Sequence, residues 1–258
     1  MPTMTIAEST IFYLSHQPAQ TQYPPLVLVH GAGGSRHDWP QGLQQLPDAC
    51  VLTVDLPGHG ESVGPGCTST LAYARLVCGL LDGLNITRAI IAGHSMGGAI
   101  AQEIAIHMPD RAAGLILAGT GSKLAVEPTL PQRIVDEHAA AVDWLTDFSW
   151  GVDVPEDVKR EGRQRLLSVT PSVLQGDYLA CQAFDARPYL EQIAVPTLVL
   201  GSDADRMVNL KFSVTLAERI PLARLVTIKG AGHNFPLEQP STVISAIEHW
   251  LATTTWTR

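Results

Sequence analysis

The sequence lacks any run of basic residues, any apolar stretch approaching the ~20 residues that span a bilayer, any CxxC pair and any HExxH spacing, and each absence removes a class of function. Lys and Arg number 17 against 25 Asp and Glu, a formal charge of −8. An acidic chain without a basic patch repels phosphate backbones and anionic lipid, so neither nucleic acid nor membrane insertion is expected. Met1-Pro2-Thr3-Met4 lacks the basic-then-apolar pattern of a signal peptide. The four cysteines, Cys50, Cys67, Cys78 and Cys181, are scattered, which fits reduced thiols packed as small apolar groups and a cytoplasmic location. Without metal-ligand clusters or nucleotide fingerprints, no cofactor and no metal is implied.

What is present is a large apolar fraction, 45% over 258 residues, enough for one α/β domain with an inserted lobe. Short Val-, Ile- and Leu-rich runs at 26–29, 51–55, 89–92, 114–118, 197–201 and 224–228 read as strands buried on both faces. Residues 71–84, 96–108, 208–220 and 242–252 read as the helices between them. This alternation predicts a doubly wound, mostly parallel sheet, preceded by an N-terminal hairpin or edge pair over 5–15. Residues 122–185 break the pattern: they carry Pro128, Pro131, Pro155 and Pro171 between helical stretches and no strand signal. Trp144, Phe148, Trp150, Tyr178 and Phe184 argue that this segment is an ordered helical lid, since disordered segments are poor in aromatics. The division expected is a core of 1–121 and 186–258 with a lid of 122–185.

Chemistry enters with Gly93-His94-Ser95-Met96-Gly97. A bare Gly-x-Ser-x-Gly occurs by chance in roughly one chain in ten of this length, so its context decides. Here a buried strand precedes it and a helix follows. That makes it a nucleophile elbow, a tight turn lifting Ser95 above the sheet, with Gly93 and Gly97 required where strand and helix approach. A serine hydroxyl needs a base and a group to orient that base. His233 sits in a glycine-rich loop, Gly230-Ala231-Gly232-His233-Asn234, between the last strand and the last helix; the other eight histidines lack this placement. The loop after the preceding strand offers two carboxylates, Asp203 and Asp205. An oxyanion hole needs two backbone N–H groups. Met96, at the start of a helix, is one; Ala32 in His30-Gly31-Ala32-Gly33-Gly34 is the other, with Gly33 second. That glycine-rich turn lacks both GK[ST] and GxGxxG, so it is not a phosphate cradle.

With these motifs in order, the sequence resembles the α/β-hydrolase superfamily, in its lid-bearing branch of small bacterial esterases, along nearly its whole length. Asp55-Leu56-Pro57-Gly58-His59-Gly60-Glu61-Ser62 resembles the family's D-x-P-G-x-G-x-S turn, which is mainly structural there. The segment Val195 to Leu200 is similar to the strand leading to the catalytic acid. Arg206-Met207-Val208 resembles the stretch commonly found just after that acid, which aligns Asp205 with it through a one-residue insertion; Asn209 departs from the proline often found there. The resemblance implies a Ser95–His233–Asp205 triad cleaving a small, fairly apolar ester through an acyl-enzyme, as monomer or homodimer. C–C bond hydrolysis, lactone opening, thioester cleavage or perhydrolysis on the same residues are the alternatives, as is a weakly catalytic small-ligand receptor.

Overall fold

The computed structural model describes residues 2–256. Eight strands, β1 (Thr3–Ile6), β2 (Ser9–His16), β3 (Leu26–Val29), β4 (Val51–Val54), β5 (Ala89–His94), β6 (Ala112–Ala118), β7 (Thr197–Ser202) and β8 (Ala223–Ile228), form one sheet in the order β1-β2-β4-β3-β5-β6-β7-β8. The first two strands are the expected hairpin, and β2 also runs antiparallel to β4; every other pairing is parallel. Strands β3 to β7 are buried at every position, which is why their sequences read as continuous apolar runs rather than alternations.

Among the described residues the α-helices are α1 (Gln41–Gln44), α2 (Thr70–Gly83), α3 (Met96–His107), α4 (Leu130–Asp136), α5 (His138–Ser149), α6 (Glu156–Ser168), α7 (Pro171–Ala183), α8 (Leu210–Arg219), α9 (Phe235–Glu238) and α10 (Pro240–Thr253). One face of the sheet packs under α2, α3 and α8, through Tyr73, Ala99 and Leu216 among others. The opposite face packs under α1 and α10, through Leu43, Ile247 and Trp250. Helix α8 starts at Leu210 rather than at 208 because Asn209 caps it, its side chain accepting the Lys211 N–H at 3.1 Å. The departure from proline at Asn209 therefore has a local cause.

Helices α4 to α7 follow β6 and precede β7. They share an apolar cluster of their own, with Leu130, Ile134, Val142, Leu145, Leu174 and Tyr178 at its centre. Helix α7 belongs to two clusters, because Cys181 at its far end packs with the sheet's helices. In the sheet, β4 and β5 lie on opposite sides of β3, so the strand order reverses at β3. Such a reversal opens a crevice at the carboxyl ends of the strands. The His30–Gly34 turn leaves β3 there, and Ser95 leaves β5.

Candidate active site

Ser95 occupies φ +53°, ψ −116°, a region that side chains other than glycine rarely adopt. Four contacts hold it there. Its N–H donates to the Ala118 carbonyl at 2.9 Å, and its carbonyl accepts from Gly98 and Ala99 at 2.9 and 3.3 Å. The fourth is steric: a Cβ on Gly93 would lie 2.0 Å from the Gly97 carbonyl oxygen, and one on Gly97 would lie 2.3 Å from that of Val29. The two glycines of the motif are thus required by backbone contact on either side of the serine. The turn costs on the order of 1–3 kcal/mol, stored in a rigid β5–α3 corner.

His233 lies in the loop between β8 and α9. Its Nδ1 is 2.8 Å from Asp205 Oδ2, and both side chains are nearly fully buried. Asp205 Oδ1 accepts the Met207 and Val208 N–H groups, each at 2.8 Å. Burial by itself would raise this carboxyl; His233 and the two amides outweigh it and hold Asp205 below the usual carboxylate range. With Nδ1–H committed to a carboxylate, Nε2 is the nitrogen left to accept a proton. Asp203 serves elsewhere, its carboxylate accepting the Gly230 N–H at 2.7 Å.

Three contacts fix the His233 loop. Ser202 Oγ donates to the Ala231 carbonyl at 2.5 Å, Glu238 Oε2 accepts the Gly232 N–H at 2.8 Å, and His94 Nε2 donates to the His233 carbonyl at 2.9 Å. His94 is the variable residue of the elbow motif, yet it is almost fully buried with its ring 4.7 Å from that of His233. Burial and that neighbouring ring push it down to about 3, so it stays neutral and keeps its donor.

The turn after β3 is organised around one carbonyl. Gly31 O accepts from His30 Nδ1 at 2.8 Å and from the Gly34 N–H at 3.1 Å. In a trans peptide the next N–H points the opposite way, so the Ala32 amide faces away from both donors. Gly31 itself lies beside Ser95, a Cβ there meeting Ser95 Cβ at 3.2 Å. His30 Nε2 accepts the Leu56 N–H at 2.9 Å, and burial with the nearby His59 ring lowers the group to about 4, so this tautomer is neutral. The Gly33 N–H is already taken, donating to Asp177 at 2.8 Å. Among the described residues, the amides of Ala32 and Met96 have no hydrogen-bond partner.

A cavity of about 390 Å³ lies over these groups, lined by Ser95, His233 and Ala32 from the core and by Trp144, Leu145, Phe148, Leu166 and Tyr178 from α5, α6 and α7. The helical segment is tied to the core beside this cavity. Arg206, next to Asp205, donates to the carbonyls of Asp147 and Trp150, and the Asn234 N–H donates to the Ser149 carbonyl at 3.0 Å. Glu238 Oε1 also reaches the Gly151 N–H at 3.3 Å.

The structure therefore brings Ser95, His233, Asp205 and Ala32 to one place, with the Met96 amide adjacent to the serine, and leaves Asp203 outside. Sequence reasoning did not single out His94, Glu238 or Asp177. Of these only Asp177 left a signal: a carboxylate at the same helical face as Val173, Leu174, Tyr178 and Cys181, all buried.

A model of the alpha/beta hydrolase family matches residues 26–246. The chain is 29% identical over 262 residues to a 3-oxoadipate enol-lactonase of Acinetobacter baylyi, covering 95% of this chain and 94% of that protein. Among solved structures, a thermophilic esterase from Thermogutta terrifontis superposes with a TM-score of 0.86 at 28% identity, covering 95% of this chain and 93% of that one. An enol-lactonase from Burkholderia xenovorans shares the fold at a TM-score of 0.90 and 24% identity, covering 97% and 100%.

Proposed function

The chain belongs to the α/β-hydrolase family, and on that footing we propose that it is a serine hydrolase cleaving a small, fairly apolar ester or related acyl compound through Ser95, His233 and Asp205. The observation that carries this reading is the 2.8 Å Asp205–His233 hydrogen bond at the wall of the cavity into which Ser95 projects. His233 Nε2 takes the Ser95 proton as Oγ attacks the acyl carbon. The carbonyl oxygen becomes negative and rests on the Ala32 and Met96 amides, both unspent in the folded chain. His233 then returns the proton to the leaving alkoxide, the C–O bond breaks, and an acyl-Ser95 ester remains. Water, deprotonated by His233, attacks that ester and releases the acid with Ser95 restored.

In this reading helices α4 to α7 form a lid, and their aromatic and aliphatic side chains give the cavity its preference for apolar acyl groups. Ring opening of a lactone is the second reading, favoured by the similarity to an enol-lactonase along 95% of the chain. It uses the same steps, with the alkoxide left tethered to the acyl group. Intact mass after treatment with a fluorophosphonate, followed by peptide mapping, tests the reading: one adduct, on Ser95, is expected. Labelling elsewhere, or none, would sink it. A panel of p-nitrophenyl esters against small lactones separates the two substrate classes.

A further inference from the structure

We propose that Asp177, a residue of the helical segment, is a positioning residue for the oxyanion hole, so that the hole is set only while α7 is docked on the core. The inference rests on the serine-hydrolase reading above and extends it to a residue 82 positions beyond Ser95 in the sequence.

Asp177 is wholly buried and accepts three hydrogen bonds. Oδ2 takes the Gly33 N–H and His59 Nε2, each at 2.8 Å; Oδ1 takes the Tyr73 hydroxyl at 2.6 Å. Its two oxygens are the acceptors for all three groups. His59 faces acceptors on both sides, since Nδ1 lies 3.0 Å from the Pro57 carbonyl. Both ring nitrogens therefore donate, and His59 is the buried cation that balances Asp177. The Asp-x-Pro-Gly-His turn, structural by its resemblance, thus holds the counter-ion of a residue in the inserted helices.

The consequence for chemistry runs through Gly33. This residue has φ +66°, and the space where its side chain would be is filled by Leu166 of α6 and Leu174 of α7. Its N–H donates to the buried Asp177 carboxylate, which fixes the Ala32–Gly33 peptide from the side of α7. The neighbouring Gly31–Ala32 peptide carries the Ala32 N–H and is already oriented by His30 and Gly34 through the Gly31 carbonyl. His30 in turn packs against His59, ring centroids 4.9 Å apart. The Asp177–His59 pair therefore braces the Ala32 peptide from both sides, through Gly33 ahead of it and through His30 behind it. Misplacing an amide by a fraction of an ångström weakens its bond to the oxyanion more than it weakens ground-state binding.

The test compares the wild-type chain with Asp177→Asn, which keeps shape while removing the charge, and with Asp143→Asn as a control that removes an exposed ion pair to Arg163 within the same helices. We expect Asp177→Asn to lower kcat on p-nitrophenyl acetate by about ten- to a hundredfold with KM held within about threefold, the pattern of lost transition-state contact. Its rate of fluorophosphonate labelling at Ser95 should fall by a similar factor, and its affinity for an aryl trifluoromethyl ketone, which mimics the tetrahedral adduct, should fall with it. The control should match wild type in all three. If Asp177→Asn does not melt cooperatively, the double variant Asp177→Asn, His59→Gln leaves no lone buried charge and replaces it, with the same outcome expected. A folded variant with wild-type kcat, or one altered only in KM, overturns the proposal. Failure of both variants to fold assigns the pair to structure alone and overturns it too. Absence of label on wild-type Ser95 overturns the serine-hydrolase reading and this one together, whereas a labelled wild type beside an unchanged Asp177→Asn overturns only this one.

Discussion

At the scale of single residues, Ser95 pays in conformation for its place above the sheet. The φ of +53° is cheap only for glycine, so Ser95→Gly should abolish turnover yet stabilise the fold. Relief of strain set against the extra entropy of an unfolded glycine leaves about 1 kcal/mol, or roughly 2–4 °C in Tm for a chain of this size. Calorimetry of the variant checks this, and a lower Tm would show that the hydroxyl contributes more than the strain costs. The two carboxylates near β7 make a second residue-scale test. Asp205→Asn should reduce kcat by roughly 10³- to 10⁴-fold, because an amide no longer holds His233 in the accepting tautomer. Asp203→Asn should leave kcat within about threefold, since it touches only the Gly230 amide, well short of any effect on the base. Steady-state kinetics on one chromogenic ester reads both.

At the scale of elements, α9 is only one turn long, yet Glu238 in it joins the His233 loop to the end of α5. Burial raises this carboxyl, although the Gly232 and Gly151 amides pull the other way. Glu238→Gln replaces one acceptor with a donor facing an N–H. The expected cost is about 1–3 kcal/mol in urea unfolding, with kcat reduced as the His233 loop loosens. Unchanged unfolding would mean that water substitutes for the contact. Strands β3 to β7, the elbow and the His233 loop were legible in the sequence because their signals are local: continuous apolar runs, glycines at fixed offsets, a turn after each run. The position of the unpartnered Ala32 amide was legible for the same reason. Asp177 was not, since its partners His59 and Gly33 are 118 and 144 residues away, and only folding brings a lone polar position on an apolar helix face to them. His94 was hidden differently: its donor reaches a main-chain carbonyl 139 residues on, a contact that side-chain identity alone does not announce.

For the molecule as a whole, three buried histidines give stability a defined pH dependence. His30 and His94 stay neutral in the fold down to about 4 and about 3, chiefly because burial disfavours the charge. In the unfolded chain both bind protons near pH ~6.5, so stability falls below that value, by as much as ~1.4 kcal/mol per pH unit for each. His59 has the opposite sign. Burial alone would lower it, but Asp177 and the Pro57 carbonyl raise it above the ordinary value. Its contribution is therefore full below pH ~6.5 and is lost as the pH rises through the folded value. Urea unfolding should give a maximum close to neutrality and a net loss on the order of 2 kcal/mol between about pH 6.5 and about pH 5, because the buried Asp38 carboxyl, raised by burial to about 6, offsets part of the histidine term as it protonates. His94→Gln, which keeps a donor for the His233 carbonyl, should remove half or more of that loss; a flat profile in the parent chain would refute the assignment of neutral imidazoles.

The apolar cluster shared by α4, α5 and α7 is separate from the two clusters that clamp the sheet. Ceiling and floor of the reaction chamber are thus upholstered independently. Side chains such as Trp144 and Phe148 can be exchanged to admit a different guest while the machinery beneath keeps its shape. Asp177 sets the limit on that freedom: any remodelled ceiling must still lower one carboxylate onto the turn below.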